Sequence, residues 1–290
     1  MEITAQMVKE LREVSGAGMM DCKKALTEAN GNMDEAMNYL REKGIAKSLK
    51  KESRIAAEGL ANAFVKGNEA VIVEVNSETD FVSKNAEFVE MIDKIGNAIL
   101  ESKAKTLDEA NAAPVDGITV KDLIINKVAK IGEKLSLRRF EYVTKADNEV
   151  FGVYIHMGGK IAVLVKLEGG NEEVAKDVAM QAAAMKPLYV FPEDVPADVL
   201  ENEKKILKEQ AVNEGKAPEI AEKMVMGRIK KFYTENCLNE QEFVKDNNLK
   251  IKDYVSKAGG KLVSMIRYEV GEGMEHRSDN FAEEVMSQIK

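Results

Sequence analysis

The chain has 290 residues, 44% hydrophobic and 32% charged, with no tryptophan and five prolines. That is a helix-rich globular composition, long enough for two or three cores. A net charge of −8 argues against a protein whose main task is gripping a nucleic-acid backbone, since such a grip comes from many Lys and Arg contacts to phosphate. Cys22 and Cys237 alone give neither a disulfide framework nor a cysteine metal site and suit a reducing cytoplasm, and no run of about eighteen apolar residues offers a membrane span.

The N-terminus enters a helical pattern at once, without the basic and apolar regions of an export signal, so a cytoplasmic location is expected. Thr4 caps a first helix with Met7, Val8 and Leu11 at helical spacing, and Gly16 and Gly18 stop it. A second helix runs from Asp21 to Ala29 and ends at Asn30-Gly31. A third starts at Asn32, with Glu35 in capping-box position, carries Met33, Ala36, Met37 and Leu40, and closes at Gly44. Three short amphipathic helices make a compact bundle, and the Gly-Ala-Gly loop with its two methionines resembles a ubiquitin-associated (UBA-like) fold. Met19 and Met20 either form its exposed face or fill its core, because methionine suits both adaptable surfaces and irregular gaps. Lys47 to Arg54 is basic, has little apolar periodicity and reads as a solvated tether, too short and too poor in aromatics for a nucleic-acid arm.

An internal repeat follows. Ala70-Val71-Ile72-Val73-Glu74-Val75 matches Ala162-Val163-Leu164-Val165-Lys166-Leu167 at an offset of 92. Each strand enters a helix, the first through Phe88, Met91, Ile92 and Ile95, the second through Val174, Val178, Met180 and Ala183. Arg139-Phe140-Glu141 matches Arg267-Tyr268-Glu269 at an offset of 128, so the second copy carries an insertion of 128 − 92 = 36 residues. That insertion reads as an antiparallel helical hairpin. Its first helix spans Ala197 to Glu214 with Leu200, Ile206 and Leu207; a Gly215-Lys216-Ala217-Pro218 reversal follows; its second helix spans Glu219 to Tyr233 with Ile220, Met224, Val225, Ile229 and Phe232. Gly227 within it implies a close packing contact. Phe281, Val285 and Ile289 mark a short terminal helix.

The expected fold is therefore α+β: a three-helix UBA-like bundle with its tether (1–54), a first core copy (55–143), a second core copy (144–186 and 236–271), a hairpin insertion (187–235) and a C-terminal helical docking module (272–290).

Chemistry is sparse. His156 and His276 have no acidic or cysteine neighbours at ligand spacing, no phosphate-binding loop occurs, and no nucleophile sits in a recognisable motif, so the expectation is a binding protein that needs no cofactor or metal. The most informative stretch is the turn Asn76-Ser77-Glu78-Thr79-Asp80-Phe81-Val82-Ser83 after the first buried strand. A phenyl ring among turn formers either tucks into the core or waits for a partner. The matching place in the second copy, Glu168-Gly169-Gly170-Asn171-Glu172, has no aromatic, so the fold does not require one.

The Thr79-Asp80-Phe81-Val82 tetrad and Gly16-Ala17-Gly18-Met19-Met20-Asp21-Cys22-Lys23-Lys24-Ala25-Leu26 resemble translation elongation factor Ts. So do Ile220-Ala221-Glu222-Lys223-Met224-Val225, Gly227-Arg228 and Lys231-Phe232 in the hairpin, and Ile266 to Gly273 at the last strand. The resemblance covers nearly the whole chain, with small departures at Ser77 and at Lys160-Ile161-Ala162. It implies a guanine nucleotide exchange factor, not an enzyme, whose partner is elongation factor Tu. By resemblance, Asp80 and Phe81, framed by Thr79 and Val82, push in beside the partner's magnesium site. Arg12, Met19, Met20, Lys23, His156 and Phe281 supply further contacts, and the hairpin or core is a place for self-association. The alternative is an adaptor that binds proteins through its UBA-like bundle without exchange activity.

Overall fold

The computed structural model describes residues 3–15, 17–215 and 217–275, which form two compact units of mixed α/β structure. The first comprises the chain up to residue 143 with residues 157–161 and 268 onward. It opens with three packed helices, α1 (Ala5–Ser15), α2 (Met19–Glu28) and α3 (Met33–Leu49). Thr4 Oγ1 accepts the Met7 N–H, and Asn32 Oδ1 accepts the N–H groups of Asp34 and Glu35, satisfying donors that each helix start leaves free. Val8, Leu11, Cys22, Ala25, Leu26 and Ala36 form the core of this bundle.

Two expectations about the bundle need correction. The second helix begins at Met19 rather than Asp21, because extended Gly18 caps it and places Asp21 in the first turn, where an acid complements the helix dipole. The third does not close at Gly44. Gly44 is buried inside α3, where a Cβ would lie 3.3 Å from Ile125 and 3.8 Å from Ala129, so its small size serves a close helix approach and not a stop. Of the expected tether, residues 47–49 belong to α3, while residues 50–54 are turn and bend, mostly exposed. The basic side chains find partners: Lys47 on Asp21 at 3.0 Å, Lys51 on the carbonyl of Gly132, and Arg54 on Glu78 at 3.1 Å.

The rest of the first unit is β1 (Glu58–Lys66), β2 (Glu69–Ser77), α4 (Asp80–Ser83), α5 (Ala86–Ser102), α6 (Leu107–Ala112), β3 (Pro114–Val115), β4 (Ile118–Thr119), α7 (Val120–Ile131) and β5 (Ser136–Thr144). β2 is central in the order β1-β2-β5, pairing antiparallel with β1 from Glu58↔Ser77 to Lys66↔Glu69. Val71, Val73 and Val75 of β2 cluster with Phe88, Met91, Ile92, Ile95 and Ile99 of α5 and with Leu123, Ile124 and Val128 of α7. Burying each large apolar side chain contributes roughly 1.5–3 kcal/mol, which is what fixes the register of β2.

The second unit, residues 144–156 and 162–267, contains β6 (Glu149–His156), all but the first residue of β7 (Ile161–Gly169), α8 (Glu172–Met185), α9 (Ala197–Asn213), α10 (Pro218–Asn236), β8 (Glu242–Phe243), β9 (Asp246–Lys250), α11 (Ile251–Lys257) and all but the last two residues of β10 (Gly260–Glu269). Its sheet has the order β10-β7-β6. The two strands that match in sequence, β2 and β7, are thus both central strands, each followed by a helix; the later matching strands, β5 and β10, both lie at an edge.

The insertion forms α9 and α10, sealed by Leu207, Val225 and Ile229 with Leu200 and Tyr233 packed against them. Ala211 and Ala221 are also buried, whereas Ile206 and Ile220 are exposed. The seam on α10 therefore keeps Val225 and Ile229 of the expected stripe and adds Ala221 and Tyr233 at four-residue spacing, while Ile220 lies outside it. Gly227 faces away from it, with no atom within 4 Å of where a Cβ would stand, so the close contact expected there is absent.

Candidate functional site

The connection between β2 and α5 is where the two copies differ most. In the first copy residues 78–84 separate Ser77 from Asn85, the cap of α5; in the second, Gly170 alone separates Gly169 from Asn171, the cap of α8. The additional residues fold as the single turn α4. Thr79, extended at φ −129° and ψ 155°, caps it, its Oγ1 accepting the Val82 N–H at 3.4 Å. Ser77 and Ser83 tighten the turn from either side, their hydroxyls donating to the carbonyls of Thr79 (3.0 Å) and Asp80 (2.9 Å).

Within this frame the four residues separate by face. Val82 is half-buried against the core of the first unit. Phe81 points the other way and is 82% exposed, so the ring does not tuck back. Asp80 is ion-paired with Lys84 one turn on, at 2.6 Å. That hydrogen bond holds the Asp80 carboxyl below the usual aspartate range and raises Lys84 above the usual lysine range. Both groups are largely in water, so the pair orients Asp80 and adds little to stability.

The turn is anchored by residues that sequence reasoning missed. Gly132, at φ 89°, ends α7 in the left-handed conformation and turns Glu133 toward the capping residue of α4. Glu133 Oε2 accepts the N–H groups of Glu78 (3.1 Å) and Thr79 (3.0 Å), and Oε1 accepts the Thr79 hydroxyl at 2.7 Å. In return Glu78 Oε1 accepts the Lys134 N–H at 2.6 Å and an Arg54 N–H at 3.1 Å. The visible signal was a glycine after a helical pattern; the partner 54 residues away left no trace in spacing.

The other expected contact residues lie elsewhere. Arg12 on α1 and Lys23 on α2 are exposed, and Met19 and Met20 are 58% and 75% exposed at the start of α2, which decides against core filling. Val14 adds another exposed apolar side chain to the bundle. His156 ends β6 half-buried, stacked on Tyr154 with ring centroids 5.9 Å apart. Phe281 and His276 lie outside the described residues. Among the described residues no group of three His, Cys, Asp or Glu is placed to hold a metal ion, and no helix is long and apolar enough to cross a membrane.

What this arrangement offers is a solvent-facing phenyl ring beside a carboxylate, on a turn held by hydrogen bonds at both ends. A comparison with protein families matches residues 78–272 to the model described as elongation factor TS. The match covers more than half of the chain and begins at the residue before Thr79.

Proposed function

The chain belongs to the elongation factor Ts family, translation elongation factors with a nucleotide-exchange role that bind elongation factor Tu, and from that premise we propose that it drives GDP from factor Tu by inserting Phe81 and Asp80 beside the partner's magnesium site. The observation that carries this reading is Phe81 itself, an aromatic ring 82% exposed on a turn that is capped, latched and without counterpart in the second copy. Mg²⁺ bridges the diphosphate to a GTPase, so shifting the elements that order the metal removes much of the nucleotide's stabilisation. Burying one phenyl ring supplies roughly 1.5–3 kcal/mol for that shift, or about ten- to a hundredfold in nucleotide affinity.

The remainder of the coupling comes from other contacts. The bundle, UBA-like in this reading, presents Arg12, Met19, Met20 and Lys23; His156 contributes from the second core copy and Phe281 from the C-terminal module. The coiled-coil hairpin or the core serves self-association, and the factor works in the cytoplasm without a cofactor or direct nucleic-acid contact. The five-part division into 1–54, 55–143, 144–186 with 236–271, 187–235 and 272–290 belongs to the same proposal.

Stopped-flow release of labelled GDP from factor Tu tests it. Phe81→Ala is expected to slow release by about ten- to a hundredfold at saturating factor, in line with the burial energy of one phenyl ring; a variant as fast as the parent chain would sink the wedge. The exposed Met19 and Met20 favour one rival, a bundle that captures other proteins in an adaptor without exchange activity. If factor Tu failed to co-purify with the full chain while other proteins did so in a Met20-dependent manner, the adaptor would replace the exchange factor.

A further inference from the structure

The latch behind the exposed turn has a part in exchange as well as in folding. Glu133 stands at the left-handed end of α7, and its two carboxylate oxygens take up three donors at the start of α4: the N–H groups of Glu78 and Thr79 and the Thr79 hydroxyl, at 3.1, 3.0 and 2.7 Å. The neighbouring pair closes the loop in the opposite sense, with Lys134 N–H donating to Glu78 Oε1 at 2.6 Å. Two consecutive residues of one segment thus exchange bonds with two consecutive residues of another. A single exposed turn of four residues has almost no intrinsic stability, since helix nucleation is unfavourable. Thr79 cannot hold its capping geometry through the 3.4 Å bond to Val82 alone; the three bonds to the Glu133 side chain fix it.

Resting on the exchange reading above, we infer that Glu133 is a positioning residue for nucleotide release: it keeps α4 formed in the free protein, so that Phe81 meets its partner already ordered. A ring on a frayed loop must be ordered during binding, and that ordering subtracts from the burial energy available to displace the metal. Phe81 makes the contact and Glu133 acts through it.

The test combines single and double variants of the full chain, reading GDP release from factor Tu at saturating factor and hydrogen exchange of the Thr79 amide in the free chain. Glu133→Ala is expected to deprotect Thr79 and to slow release roughly tenfold, whereas Glu133→Gln, which keeps a carbonyl acceptor for the two N–H groups, stays within about threefold of the parent. In a Phe81→Ala background the further change Glu133→Ala is expected to slow release no more, since its effect passes through the ring. An unprotected Thr79 amide in the parent chain, or parental release by Glu133→Ala when Phe81→Ala is slow, would overturn the latch and leave the wedge standing. So would equal losses in the two backgrounds, which would mark Glu133 as a general folding residue. Parental release by Phe81→Ala would instead remove the wedge, and the latch's role in exchange with it.

Discussion

Glu74 sits fully buried in the middle of β2, where four groups donate to its carboxylate: the Gly271 N–H and the Arg138 guanidinium at 2.9 Å each, Arg139 Nε at 2.6 Å and the Asn76 side-chain amide at 3.1 Å. Burial alone pushes its carboxyl up, but the Gly271 N–H and the two arginines outweigh burial and hold it below the usual glutamate range. A folded-state value depressed below the unfolded value of about 4.3 means that its contribution is complete above that pH and is lost as pH falls through the depressed value. Glu74→Gln is expected to destabilise the first unit by about 3 kcal/mol at neutral pH, since it leaves two arginines facing an uncharged group. Its melting temperature should approach that of the parent as the medium is acidified below about pH 4; parallel melting curves across that range would show that the carboxylate is not what the arginines hold. In the sequence this residue looked like one more member of a strand, because alternation gives its place in β2 and nothing of the two arginines on β5. Phe81 was legible for the opposite reason. An aromatic among turn formers violates the local rule, and the second copy provided the comparison that showed the violation to be unnecessary for folding.

At the scale of elements, side-chain caps were legible in the sequence, whereas the glycine-capped start of α2 at Met19 and the run of α3 through Gly44 were not. Asn32 and Thr4 cap where their types suggested, because a cap bond is local. Gly44 and Gly227 were misread because a glycine's meaning lies in what packs on it, which spacing does not contain: the first makes room for Ile125 on another helix, and the second meets nothing. Gly227→Ala is therefore expected to stabilise the hairpin by about 0.5–1 kcal/mol through helix propensity alone. A loss of stability in thermal or denaturant melts of the full chain would mean that a surface absent from the isolated molecule packs there. The seam itself should be less forgiving. Ile229→Ala deletes a buried side chain from a seam with few other large apolar residues, and a loss of about 2–4 kcal/mol is expected, seen first as faster amide exchange in α9 and α10.

For the whole molecule, the sequence repeat announced that β2 and β7 are equivalent strands, since a shared core pattern survives at fixed offset; that each is the centre of a three-stranded sheet shows only in the structure. The same repeat already set the turn at 79–82 apart from its counterpart; what spacing did not contain is that the 78–84 connection folds as a capped turn held by Glu133, 54 residues on from Thr79. An exchange factor of this kind works by reciprocal coupling, so whatever factor the chain takes from nucleotide affinity, nucleotide with magnesium must take from the affinity of the chain. Titrating Mg²⁺ and GDP into the complex is expected to weaken it in step with the loss of nucleotide affinity; a complex indifferent to both would show that the two sites are not linked.

The most direct test is the structure of this chain with nucleotide-free factor Tu. Phe81, 82% exposed in the free protein, is expected to be buried in the partner's nucleotide-binding domain next to the vacated magnesium site, with Thr79 still held by Glu133. A complex in which that ring remains in solvent while the GDP site is empty would contradict it.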